Sequence, residues 1–198
     1  MMLHTTARPG SSAEETRSKI LAAAKAIYEQ NGTRGTTTRE VAERAGVNEA
    51  TLFRHFGNKQ ALLLAMRQES CGLQVFSNMI AGLSGDVRSD LIAIGETMVT
   101  NMRDQRALMC ISLAEAARGE VEPPSPEWRG PQQIMAKLSE FFAGHIRRGS
   151  VHGDSDLLAR FFMGIIFSYV VAEKVWDSHE PRLADIVRIV DTFLNGAK

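Results

Sequence analysis

The 198-residue chain is predicted to be all-α. Apolar residues recur at helical spacing in one segment after another, and no segment shows the polar–apolar alternation of a β-strand. With 44% apolar residues, the chain can bury a substantial core. Residues 1–68 hold ten basic and six acidic residues, a net charge of +4, and the remainder carries −4. The basic N-terminal third therefore indicates a surface for phosphate groups.

Residues 36–62 have the pattern of a helix-turn-helix, TTTREVAERAGVNEATLFRHFGNKQAL. Three threonines precede the first helix, and a threonine hydroxyl is a good N-cap. Gly46 supplies the turn, and Asn48 is expected to cap the second helix, 49–55. Leu52 points towards the partner helices. The opposite arc of the second helix, which is left open to the edges of DNA bases, is formed by Glu49, Ala50 and Phe53.

The rest of the chain is divided into helices by glycine and proline. We expect an arm without order at 1–13, a three-helix DNA-binding domain at 14–60 and a helical bundle at 61–198. The four prolines between residues 120 and 131 predict a loop or a loose helix start. Helices are expected at 14–30, 59–83, 86–101, 106–118, 132–148, 154–176 and 183–195.

The last two predicted helices are more apolar than a single core requires. On the final helix the apolar residues spread over about 160°, whereas one core needs a stripe of only about 100°. This surplus suggests a two-fold interface with a second copy of the chain, although it could also be buried inside one large monomer. The expected interface residues are Phe161, Ile165, Ser168, Val187, Val190, Phe193 and Leu194.

The N-terminal third resembles the DNA-binding domain of the TetR (tetracycline-repressor) family of bacterial transcription regulators. The matching residues are Tyr28 to Gly32, Thr36 to Ala42, Ala45 to Val47, Thr51 to Phe56, and Asn58 with Lys59. The resemblance implies a cytoplasmic, nucleoid-associated dimer that binds a palindromic operator in double-stranded DNA and is released by a small inducer. An activator, or a protein that acts through protein partners without an inducer, remains the alternative.

The resemblance also implies roles for individual residues of the motif. Arg39 would reach a base edge or the adjacent phosphate, and Glu49, Ala50 and Phe53 would face the major groove. Many relatives carry tyrosine where Phe53 stands, so its contact must be apolar, for example to a thymine methyl. The residues expected at or near phosphates are Thr37, Thr38, Asn48, Thr51, Arg54, His55 and Lys59. Helix capping, core packing or solvated surface charge could each explain one of these residues taken alone.

Methionines and aromatic residues are scattered through the predicted bundle. Methionine adapts to irregular cavities, which suits an apolar or amphipathic inducer, although plain core packing is the commoner explanation. By resemblance, the pocket would lie between the connecting helix and the helices around 98–111 and 157–169. The candidate ligand residues are Phe76, Met98, Met102, Arg103, Met109, His145, Phe162, Met163 and Tyr169.

The sequence offers little that suits an enzyme. It contains no phosphate-binding loop, dinucleotide fingerprint, nucleophile elbow or HExxH motif, and the nearest polar group, His152 with Asp154 and Ser155, lies in a turn. We therefore expect no catalytic residue, no cofactor and no metal. Two cysteines without a CxxC pattern suit reduced thiols, and the longest apolar run, 161–172, is too short to cross a bilayer.

Overall fold

The computed structural model describes residues 9–119, 129–172 and 182–196, and the regular structure in these ranges is helical. This confirms the all-α prediction. None of the helices in these ranges is both long and apolar enough to cross a membrane. The helices are α1 Pro9–Gly35, α2 Thr38–Ala45, α3 Glu49–Phe56, α4 Lys59–Ser70, α5 Leu73–Ala81, α6 Val87–Asp104, α7 Arg106–Ala117, α8 Gly130–Arg147, α9 Ser155–Phe167 with a π-helical extension at Ser168–Ala172, and α10 Leu183–Gly196.

The chain divides into two compact units. The first comprises Met1–Ser70 together with Ile111–Glu122, and the second comprises Cys71–Cys110 and Pro123–Lys198. The first unit therefore includes the C-terminal half of α7 in addition to the predicted N-terminal domain. The expected boundary at residue 60 lies within α4.

The first unit is built on α1, which packs against both α2 and α4. Its fully buried side chains come from every helix of the motif, because each of these short helices has one apolar face. The helical path of α1 is broken at Gly32, where φ is 65°, close to the expected stop after Gln30. The buried residues that hold the unit together include Ile20, Ala24, Ile27, Tyr28, Val41, Leu52, Leu62 and Met66.

The second unit has a larger apolar core. Helix α6 packs against α9 and α10, and α8 packs against α9. Three aromatic rings meet in this core, with ring centroids 6.4 Å apart for Phe142–Phe162, 5.8 Å for Phe142–Phe193 and 5.4 Å for Phe162–Phe193. Tilted and edge-on ring pairs of this kind add to the stability that burial alone provides.

Two predicted element boundaries were wrong. The single helix expected over 59–83 is two helices, because Gly72 adopts a left-handed conformation with φ of 69°. A side chain on Gly72 would also collide with the side chain of Asn101. The arm expected at 1–13 is already helical from Pro9.

Several other expectations fall outside the described residues. These are the first eight residues of the arm, most of the proline-containing loop at 120–131, and the end of the predicted 154–176 helix beyond residue 172. The remaining predicted helices lie within about five residues of the observed ones at each end that the structure describes.

Candidate nucleic-acid interface

The two motif helices are capped as their sequence predicts. The hydroxyl of Thr37 accepts a hydrogen bond from the backbone N–H of Glu40 at 3.2 Å and so caps α2. The carboxamide oxygen of Asn48 accepts from the N–H of Thr51 at 2.7 Å and caps α3. Between them Gly46 ends α2 in the left-handed conformation, with φ of 70°, where a residue with a side chain would be strained. The tight turn therefore follows directly from the residue types at these positions.

Helix α3 buries one side and exposes the other. Leu52 is fully buried and anchors the helix to the unit. Ala50 and Arg54 are exposed, and Phe53 is 42% exposed although it is a large apolar side chain. An aromatic ring left in water on a short helix costs free energy, so this surface is suited to a partner that covers it. The expected groove-facing arc is thus open in the described structure.

Thr38 and Glu49 contact each other. The Thr38 hydroxyl donates a hydrogen bond to Oε1 of Glu49 at 2.8 Å, which links the start of α2 to the start of α3. One carboxylate oxygen of Glu49 is therefore already occupied, and the other can still accept a hydrogen bond from a cytosine amino group. The Thr38 hydroxyl cannot donate to a phosphate while it makes this bond.

The cationic side chains around α3 are available. Within the described part of the chain, Arg39, Arg54 and Lys59 take part in no ion pair. Arg39 and Arg54 are exposed, and Lys59 is half-buried at the start of α4. His55 and Thr51 are half-buried, so their expected phosphate contacts depend on the polar tips alone. Unpaired cations beside an exposed apolar residue form the kind of surface that binds phosphate and base edges together.

Two further residues that sequence reasoning missed shape this surface. The side chain of Asn58 accepts from the N–H of Ala61 at 2.8 Å and caps α4, so it fixes the helix that begins with Lys59. The sequence feature that could have predicted this cap is an asparagine directly before a helix, as at Asn48. The Arg17 guanidinium lies 5.5 Å from the centroid of the Phe56 ring and 3.5 Å from a carboxylate oxygen of Glu69. No local pattern predicts that contact, because the three residues are far apart in sequence.

A buried carboxylate joins the end of α7 to the rest of the first unit. Glu115 is 4% exposed, and its oxygens accept from the backbone N–H of Thr33 at 2.6 Å, the Thr33 hydroxyl at 2.9 Å and the Tyr28 hydroxyl at 2.7 Å. Arg67 lies 3.7 Å away and donates to Tyr28 at 3.1 Å. Burial alone would raise the pKa of Glu115, but the hydrogen bonds from Thr33 and Tyr28 and the charge of Arg67 outweigh it and lower that pKa.

Comparison with known proteins identifies the family. Residues 20–66 match the model of the bacterial regulatory proteins of the tetR family. Over 158 residues the chain is 32% identical to the HTH-type transcriptional regulator YvkB of Bacillus subtilis, covering 79% of this chain and 82% of that protein. The chain belongs to the TetR family. It is a helix-turn-helix transcription regulator, and its relatives are regulators rather than enzymes.

Solved structures agree on the fold of this TetR-family chain. The fatty acid degradation regulator FadR from Bacillus halodurans matches with a TM-score of 0.72 and 18% identity, covering 91% of this chain and 95% of that one. FadR from Bacillus subtilis in complex with stearoyl-CoA matches with a TM-score of 0.71 and 18% identity, covering 91% and 99%. At this identity the likeness establishes the shared architecture only.

The candidate ligand residues of this TetR-family regulator do not gather around one described cavity. Phe76, Met98 and Phe162 are buried in the core of the second unit. Three more pack partly buried against that core, namely Met102, Met163 and Tyr169. Arg103 and Met109 are half-buried. His145 differs, because it is 1% exposed and also lines a cavity of about 350 Å³.

The candidate dimer residues fall into two groups. Phe161 and Ile165 are 59% and 38% exposed on α9, and Ser168 and Val187 are half-buried. Val190 and Leu194 are 0% and 5% exposed because they point into the protomer's own core, and Phe193 packs there against aromatic rings. The interface prediction is therefore wrong for Val190 and Leu194, since the surplus apolar arc of α10 is used within the protomer.

Proposed function

We propose that this TetR-family chain is a repressor that binds an operator in duplex DNA through α2 and α3. The observation that carries the proposal is the exposed face of α3, where Phe53 is 42% exposed, together with the motif cations Arg39, Arg54 and Lys59, which form no ion pair with any described residue. Cations hold the phosphates and set the register, while Ala50, Phe53 and the free oxygen of Glu49 reach base edges. A protein with this target acts in the bacterial cytoplasm, at the nucleoid.

The phosphate role of α3 is tested by salt dependence. Each phosphate contact releases counterions, so Arg54→Ala and Lys59→Ala should weaken binding to all duplexes alike and make the slope of log affinity against log salt shallower by about one unit each. Phe53→Ala should instead reduce discrimination between sequences. Arg188→Ala, an exposed arginine of the second unit, is the matched control. Unchanged affinity and slope in the Arg54 and Lys59 variants would refute their role.

We further propose that the regulator acts as a homodimer through the outer face of α9. Leu157, Phe161 and Ile165 lie one helical turn apart along that face and are 50%, 59% and 38% exposed. A second copy that covers this stripe removes it from water and brings two recognition helices to major grooves about 34–36 Å apart, or a multiple of that spacing. This arrangement requires a palindromic operator.

Sedimentation tests the dimer directly. Phe161→Glu should yield a folded monomer, because the side chain is exposed in the protomer and a buried carboxylate would be costly in the dimer. Val75→Glu, which alters an exposed apolar residue of α5 in the same unit, should remain dimeric. If Phe161→Glu is as dimeric as Val75→Glu, the proposed interface is wrong.

The remaining part of the proposal is release by a small molecule. An inducer must bind the form of the dimer that cannot span the operator more tightly than the form that can, and a coupling of about 1–3 kcal/mol is typical of such switches. A structural neighbour, FadR from Bacillus subtilis, forms a complex with stearoyl-CoA, which supports a small-molecule ligand for this chain. This part would be contradicted if no small molecule dissociates the operator complex and if expression of the regulated genes is the same under all growth conditions.

A further inference from the structure

The second unit contains an open cleft between the end of α5, the start of α6 and one side of α8. Its volume is about 350 Å³, within the range of small-molecule sites. Ile80, Leu83 and Phe141 supply apolar surface, and Lys137, Arg147 and Arg148 supply positive charge. A site with these two kinds of surface suits a ligand with an apolar body and an anionic head.

The positive side of the cleft is concentrated around Gly144. A Cβ on Gly144 would lie 3.8 Å from Nη2 of Arg147 and 4.0 Å from Nη2 of Arg148. Two guanidinium groups thus approach the same point on α8, which has no side chain to fill it. Neither arginine, nor Lys137, forms an ion pair with any residue that the structure describes. Like charges brought together without a counter-ion favour binding of an anion.

The three basic side chains of the cleft outnumber its two acidic ones, Asp90 and Glu140, so the lining keeps a net charge of 3 − 2 = +1. Both carboxylate oxygens of Asp90 are occupied, since they accept from the backbone N–H and hydroxyl of Ser84 at 2.7 and 2.8 Å and from the N–H of Gly85 at 2.8 Å. Asp90 therefore holds the α5–α6 connection in place. Glu140 is exposed on α8 and remains the one acid among the lining residues that is not engaged in this way.

The cleft also contains a buried polar group without a partner. His145 is 1% exposed, its ring centroid lies 4.6 Å from that of Phe141, and no described group is hydrogen-bonded to its Nδ1. Burial, followed by the charge of Arg148, lowers the pKa of His145 against the opposing charges of Asp90 and Asp86. A buried, unpaired polar atom costs stability, and each one in a native protein needs an explanation, of which a bound molecule is one.

We infer that this cleft binds an amphipathic anion, with a carboxylate or phosphate head between Arg147 and Arg148 and a hydrocarbon or aromatic body against Phe141, Leu83 and Ile80. His145 lies in the same wall, and its unpartnered Nδ1 is the group that the anionic head would engage. The inference rests on the proposed function for its regulatory meaning, because it names the class of ligand that the second unit would sense. The binding itself requires no DNA.

Isothermal titration of the full-length chain, without DNA, tests the inference. The probes are octanoate and octyl phosphate as anions, and octan-1-ol as a neutral molecule of the same chain length. We expect saturable binding of one anion per chain and at least about tenfold weaker binding of octan-1-ol, the effect of losing a charged hydrogen bond. Whichever anion binds more tightly identifies the preferred head group.

Variants locate the site. Arg147→Gln combined with Arg148→Gln should weaken both anions by at least about tenfold and leave octan-1-ol unchanged, since only the charged contacts are lost. Both side chains are exposed, so the fold should be kept, as circular dichroism can verify. Arg188→Gln, an exposed arginine on α10 of the same unit, is the control and should bind as the unaltered chain does.

Three results would overturn the inference: no binding of either anion at millimolar concentration, equal binding of octan-1-ol, or anion binding that the double variant does not weaken. Because these measurements contain no duplex, such a result leaves the proposed operator binding intact. Conversely, a failure to prefer any duplex would refute the proposed function without affecting the titrations.

Discussion

In the first unit Glu115 is buried with three hydrogen bonds to its carboxylate, whereas in the second unit His145 is buried more deeply and its Nδ1 has no described partner. Both residues are polar groups removed from water, and removal costs free energy unless the lost hydrogen bonds are replaced. The carboxylate of Glu115 has replaced them within the protein. His145 has not, so its surroundings suit a partner that the chain does not supply.

This difference matches the position of each residue. Glu115 ties the end of α7 to α1 and α4, which carry the helix-turn-helix, and its hydrogen bonds hold these helices together, whereas Arg67 Nε beside it has no described partner. His145 lines a cleft beside unpaired cations. A carboxylate whose oxygens accept hydrogen bonds within the protein stabilises one conformation, while a buried group without a partner lowers stability and can gain a partner on binding. Three changes test whether the two sites differ in this way.

The largest expected effect follows Glu115→Ala. The change leaves the Tyr28 hydroxyl and the N–H and hydroxyl of Thr33 without this acceptor and removes the opposite charge beside Arg67. It should lower the free energy of unfolding by about 3 kcal/mol. Urea unfolding measures this value. Glu43→Ala on the exposed surface of α2 is the control and should stay within about 0.5 kcal/mol of the unaltered chain. Equal stability of the two variants would show that the network contributes nothing.

A smaller effect is expected from acidification. The pKa of Glu115 is lower in the folded chain than its usual value of 4.5, so the stability gained from its ionised form is complete above that value. This stability is lost as the pH falls through the lowered pKa of the folded state. The difference in unfolding free energy between the chain and Glu115→Gln should therefore be constant from neutral pH to about pH 5 and shrink below it. If the difference in unfolding free energy grows on acidification, folding raises the pKa of Glu115 instead of lowering it.

The smallest effect is expected from His145→Leu. Replacing an unpaired buried polar group with an apolar one of similar size should be neutral or raise the free energy of unfolding by up to about 1 kcal/mol. Thermal unfolding without ligand checks this, and Leu138→Ala, a cavity-forming change on the same helix, provides a destabilised reference. If His145→Leu is as unstable as Leu138→Ala, the imidazole is a structural element and the contrast with Glu115 fails.

Sequence reasoning performed best where the determining residues are adjacent. The caps of α2 and α3 by Thr37 and Asn48, and the left-handed turn at Gly46, each depend on residues within four positions, and the structure confirms them. The break between α4 and α5 was missed because apolar spacing continues across it. The contact that leaves no room for a side chain at Gly72 comes from Asn101, which the sequence alone does not place beside it.

Contacts between distant segments were the part that could not be predicted. Glu115 lies more than 80 residues from Tyr28 and Thr33, and neither its own helix nor the motif contains a signal of that pairing. The apolar arc of α10 is wider than the stripe of about 100° that packing on one core needs, which predicted a second partner surface. Periodicity does not distinguish such a surface from a larger core within the protomer. The burial of Val190 and Leu194 shows that the core is the explanation for those two residues.

The central claim is that the exposed face of α3 recognises a particular duplex. The direct test is to select bound fragments from genomic DNA with the full-length chain, and then to measure the affinity for the selected duplex and for random duplex at moderate salt. We expect a palindromic site bound at least about a thousandfold more tightly than random sequence, and a preference that Phe53→Ala reduces. Equal affinity for selected and random duplexes would contradict the account.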